Sequence, residues 1–100
     1  MAFIITPRAK ADMLETVLYI SNFNPVAARS WRREILETCR LLSQMPLMGH
    51  ALEPNVPTGS LDGVRLFSKN KHLIFFKRRN ADIEILRVLH AARDWPKLVR

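Results

Sequence analysis

Basic side chains crowd the C-terminal part of the chain: Arg65, Lys69, Lys71, His72, Lys77, Arg78, Arg79, Arg87, His90, Arg93 and Lys97. Guanidinium and ammonium groups hold phosphate or carboxylate, and an imidazole among them can move a proton near neutral pH. The competing reading is a solvated outer face whose lysines guard a sheet edge against stray pairing. Other chemistry finds little support, since the sequence has no phosphate-cradling glycine loop, no paired Cys motif, no His-Glu-x-x-His and no Gly-x-Ser-x-Gly. His50 reads as a surface histidine. Cys39 lies among apolar residues at helical spacing, which suits a reduced buried thiol better than a nucleophile or ligand. Neither a cofactor nor a metal is expected.

Lys and Arg number 16 against 9 Asp and Glu, a formal charge of +7 in 100 residues. That is high for so small a chain and favours an acidic partner. Nucleic acid, an acidic protein segment and a membrane surface all fit it, because charge reports attraction and not identity. Like charges also oppose compaction, so a neutralising partner should raise stability. No apolar run reaches the roughly 18 residues of a membrane helix, and no signal-peptide pattern is present, so the cytoplasm is expected. The length points to a single domain over residues 1–100.

The elements that must position these cations are legible from period and punctuation. Ala2 to Ile5 is a short apolar strand, and Thr6-Pro7 then supplies a capping hydroxyl and a proline suited to the first helical position. From Pro7 to about Ser21, Met13, Leu14, Val17, Leu18 and Ile20 mark a core face, with Arg8, Lys10, Asp12, Glu15 and Thr16 on the remaining surface. Asn24-Pro25 starts a second helix after a short turn, and Ala28, Trp31, Ile35, Cys39 and Leu42 form its inward stripe. Met45-Pro46 ends that helix, and Leu47 to Ser60 reads as a long irregular loop. Val64 to Phe67, His72 to Lys77 and Ile83 to Leu89 then read as strands of two successive hairpins, turning at Lys69-Asn70-Lys71 and Arg79-Asn80-Ala81-Asp82. The expected fold is α+β, with an N-terminal strand on the edge of a small antiparallel sheet of about four strands. An antiparallel helical hairpin should cover one face and leave the other free to bind.

Four local patterns become specific when taken together. They are NPVAA at Asn24 to Ala28, the Leu-x-x-x-Pro-x-x-Gly spacing from Leu42 to Gly49, the HLIFF strand from His72, and IEILRVLHAARD at Ile83 to Asp94. In order and spacing over nearly the whole chain, ending in Val-Leu-His-x-x-Arg-Asp at Val88 to Asp94, the sequence resembles the ParE branch of the ParE and RelE toxin superfamily. The resemblance implies a growth-arresting toxin of a type II toxin-antitoxin pair, held inactive by a cognate antitoxin whose acidic C-terminal segment wraps it in a hetero-oligomer. ParE-like members are associated with inhibition of DNA gyrase, whereas RelE-like relatives cleave messenger RNA on the ribosome. Fold alone does not separate these targets.

RNA cleavage by the 2′-hydroxyl needs a base, cations for the phosphate and an acid for the leaving oxygen. RelE-like nucleases often resemble one another in a Tyr or His near the C-terminus, but here the only tyrosine is Tyr19 and the final residues, Trp95 to Arg100, hold neither. A nuclease would therefore rest on His90 as base with Arg65, Arg87 and Arg93 holding phosphate. The alternative gives His90 the task of fixing the end of the last strand by hydrogen bonding. Arg87 in an apolar strand must find a partner contact or an internal salt bridge. Trp95 is either a core cap or an interface anchor. The binding candidates are Arg65, Lys77, Arg87, His90, Arg93, Trp95 and Lys97.

Overall fold

The computed structural model describes residues 2–51 and 63–92. The elements run β1 (Phe3–Ile5), α1 (Pro7–Ser21), α2 (Pro25–Gln44), β2 (His50–Ala51), β3 (Arg65–Lys69), β4 (His72–Arg79) and β5 (Asp82–His90). Two helices pack on a five-stranded sheet of order β1-β5-β4-β3-β2, an α+β arrangement with its N-terminal strand at the edge. The sheet is mixed rather than wholly antiparallel. β1 lies parallel to β5, with Phe3 beside Ile83 and Ile5 beside Ile85. A parallel pair needs a crossover connection, and the helical hairpin provides it.

Both helix starts follow the residues that announce them. Thr6 Oγ1 accepts the Ala9 N–H at 3.3 Å and donates to the Ile85 carbonyl at 2.9 Å, so the cap also pins α1 to β5. Asn24 Oδ1 accepts from Val26 N and Ala27 N, each at 3.1 Å. The α2 stripe is as expected: Ala28, Ile35, Cys39 and Leu42 are buried, and Trp31 packs partly buried against the same core. Burial pushes the Cys39 thiol up to about 12, consistent with an inert side chain.

Helix α1 departs from its expected face. Leu14 and Leu18 are 59% and 57% exposed, while Ala9, Asp12 and Met13 are buried. The apolar arc of this helix is wider than the face a sheet can cover, and a charge pair described below decides which part turns inward.

The segment after α2 is less irregular than its prolines and glycines suggest. His50 and Ala51 pair with Leu66 and Arg65 to add β2 to the sheet. Gly49 makes this possible with φ of 81°, and a Cβ there would lie 2.3 Å from the Leu66 carbonyl oxygen. The Leu-x-x-x-Pro-x-x-Gly spacing thus has a physical basis: Leu42 is buried, Pro46 follows the end of α2, and Gly49 lets the chain lie against β3. The remaining residues expected in this loop, 52–60, lie outside the described residues.

Asn70 and Asn80, with φ of 56° and 58°, turn the two hairpins in the left-handed region that asparagine tolerates. Strand β4 is apolar in both phases. Ile74 and Phe76 join the main core under the helices, whereas Phe75, 1% exposed, clusters with Val64 and Leu89 on the opposite face. That face is therefore not the open surface expected from a sheet with helices on one side. The continuous HLIFF run carried this signal, since a strand with one solvated face alternates.

Candidate functional site

The geometry turns on one irregularity in β5. From the Arg79–Asp82 end the hairpin pairs Phe76 with Ile85, but the next pair is Phe75 with Arg87, leaving Leu86 as an extra residue in a β-bulge. The inward phase shifts there from Ile83 and Ile85 to Val88, and a bulge commonly re-aims a side chain in this way. Arg87 meets Asp12 of α1 in a bidentate pair, Nε to Oδ2 at 2.7 Å and Nη2 to Oδ1 at 2.9 Å. Asp12 Oδ2 also accepts the Val88 N–H at 3.0 Å, just past the stretch of β5 that β1 covers. Asp12, expected on the surface, is instead the buried acceptor that holds the bulge. The hydrogen bond to Asp12 raises Arg87 above the ordinary arginine value against the opposing effect of burial.

The same bulge brings two histidines together. Counting from the Arg79–Asp82 turn without it would set Leu89 opposite His72; the extra residue sets His90 there. Their rings meet edge to face with centroids 5.2 Å apart, and His72 meets Trp31 at 5.0 Å. Trp31 Nε1 donates to His72 Nδ1 at 3.3 Å, and Ala92 N donates to His90 Nδ1 at 3.0 Å. His90 thus fixes the end of β5, the structural role that the sequence left open. Burial, and then the nearby His90, lower His72 below the ordinary histidine value. Both rings line a cleft of about 440 Å³ with Asp12, Glu15, Thr16, Tyr19 and Val88. Sequence reasoning did not join Tyr19 and His72 to His90, because their meeting depends on the register shift.

Arg65 lies elsewhere. Its guanidinium donates to the carbonyls of Leu47 at 2.8 Å, Gly49 at 3.1 Å and Met48 at 3.4 Å, clamping the chain that enters β2. It stands four positions before Lys69, the neighbour of His72, which is about 13 Å along a strand. Lys77 sits across from Glu84 in the β4–β5 register. Arg93, Trp95 and Lys97 lie outside the described residues. Of the described basic candidates, Arg65, Arg87 and His90 do not converge on one point: each has a separate internal acceptor or donor.

A second concavity, of about 270 Å³, has apolar walls from Ile5, Met13, Leu14, Val17 and Leu36, with Lys10 and Arg32 at the same groove. Among the described residues no three His, Cys, Asp or Glu side chains are arranged to hold a metal ion. No helix among them is long and apolar enough to cross a membrane.

Comparison with known proteins agrees with this architecture. No curated protein matches the chain. A solved structure titled as the chromosomal ParDE TA system from P. aeruginosa is similar at 25% identity with a TM-score of 0.70, covering 90% of this chain and 95% of that one. The family model described as the ParE toxin of the type II toxin-antitoxin system, parDE, matches residues 3–95. With that match spanning every element described, the chain belongs to the ParE toxin family of type II toxin-antitoxin systems.

Proposed function

We propose that this toxin arrests growth by binding DNA gyrase in the cytoplasm, carries out no reaction of its own, and is neutralised in a hetero-oligomer with a cognate antitoxin. Family membership supports the class. The observation that favours inhibitor over nuclease is the internal commitment of the arginines. Offsetting phosphate charge during 2′-hydroxyl attack takes cations with donors aimed at the reacting group. Arg87 directs its fork to Asp12, and Arg65 donates to three backbone carbonyls. The cleft at His90 is shared with Glu15, a carboxylate that repels phosphate. Lys77, Arg93, Trp95 and Lys97 are then contacts to a protein partner rather than to a scissile RNA.

The groove between Lys10 and Arg32 suits a segment that alternates apolar anchors with acidic residues, as expected of the antitoxin. Titration with the antitoxin encoded beside the toxin should give a stable complex, and Lys10→Glu with Arg32→Glu should weaken it at least tenfold. Binding unaffected by that double reversal places the antitoxin elsewhere.

One observation favours a second reading, the ribosome-dependent messenger RNA endoribonuclease. Tyr19, His72 and His90 line a single cleft, and such side chains can serve as acid and base. The deciding experiment is supercoiling of relaxed plasmid by purified gyrase with increasing toxin, run beside a ribosome and messenger RNA cleavage assay. The expected result is lost supercoiling, cleaved DNA accumulating and RNA intact. Unchanged supercoiling with RNA cut by the native chain and not by His90→Ala would establish the nuclease.

A further inference from the structure

The row of rings at the sheet end has a property beyond binding or inhibition. An indole N–H can only donate, so the Nδ1 atom of His72 that receives the Trp31 N–H must carry no proton. The neutral His72 ring then keeps its hydrogen on Nε2. A further proton can enter only at Nδ1, where it removes the acceptor and sets donor against donor. We propose that Trp31, His72 and His90 form an acid-released catch, which ties the first turns of α2 to the adjoining ends of β4 and β5 at neutral pH and lets go when His72 is protonated.

The surroundings set the direction. On the sheet, His72 lies between Lys69 of β3 and His90 of β5 in register, so a charged His72 adds a cation beside one ammonium and a second imidazole. Lys71 precedes it in the chain, and its carbonyl accepts the Ala91 N–H at 2.8 Å. From α1, Asp12, Glu15 and Tyr19 face the cleft. Asp12 is paired with Arg87, and Glu15, which favours the proton, also acts on Arg87. Helix α2 contributes the Trp31 indole. Burial works first against the charged ring, then His90, and together they hold His72 below the ordinary 6.5. The unfolded chain therefore takes up this proton before the folded one. The tie is fully present above that value, and its stabilisation is lost as pH falls through the folded value.

The test uses the full chain carrying Trp95→Phe, so that Trp31 is the one tryptophan. Its indole N–H resonance and fluorescence are followed with the His72 ring signals from pH 8 to pH 5. The expected result is one shared transition with a midpoint below 6.5. An indole signal that stays still while His72 titrates, or a His72 midpoint at or above 6.5, overturns the proposal. His72→Asn leaves an acceptor near Nδ1 that does not titrate, and should give a flat indole signal; a persisting transition counts against the catch. His90→Asn keeps a side-chain acceptor for Ala92 while removing the second imidazole, and should move the His72 midpoint upward. An unchanged midpoint there refutes the coupling even if the His72 variant does not fold.

Discussion

Arg65 on β3 and Arg87 on β5 each hold a guanidinium partly buried against the sheet, and the fold satisfies them differently. Arg87 meets a full opposite charge, Asp12, from 75 residues away, with side-chain exposures of 12% and 8%. Arg65 meets only the partial charges of three carbonyls, 16 to 18 residues away. The first joins a helix to a strand and sets a register; the second tightens a local turn. A buried ion pair is costly to break from one side, because the orphaned charge stays desolvated. A cation resting on carbonyls near solvent leaves behind dipoles that water can reach.

The contrast gives a graded series in denaturant unfolding at constant m value. Asp12→Ala removes the bidentate carboxylate from Arg87 and the acceptor of the Val88 N–H, and should cost about 3–5 kcal/mol. Adding Arg87→Met should recover much of that loss, and a double-mutant cycle with no coupling would break the comparison at its stronger end. Gly49→Ala, on the turn that Arg65 clamps, should cost about 2–3 kcal/mol from positive φ and overlap with the Leu66 carbonyl. Arg65→Ala should cost about 1–2 kcal/mol, since its acceptors lie near the surface. Arg79→Ala, which removes an exposed pair at 3.5 Å to Glu84, should cost under about 1 kcal/mol and serves as the baseline. Equal losses for Asp12→Ala and Arg65→Ala would show that the two arginines are held alike after all.

Much of the fold was legible in the chain. Helix α2 could be read residue by residue because its apolar stripe is narrow and single. Helix α1 could not, because Met13, Leu14, Val17, Leu18 and Ile20 span more arc than the core accepts, and the choice between them rests on Asp12 finding Arg87 across the fold. The hairpin turns were announced by Asn70 and Asn80, yet the bulge between them and His90 was not, since no residue type marks it. Period-two counting therefore misplaces His90 by one, and with it the Trp31–His72–His90 row. The parallel edge follows from the helical crossover, whereas β2 depends on a glycine whose close approach is visible only once β3 is in place.

Cys39 reports on the core from the inside. It is the sole cysteine of the sequence and is fully buried between the helices and the sheet. In the native fold a thiol reagent should find almost nothing to attack, so labelling proceeds only as often as the core opens. Its labelling rate is therefore an intrinsic gauge of opening events in the helix–sheet core. An antitoxin or target that binds only the closed state should slow that gauge in proportion to its occupancy, without any probe having been attached.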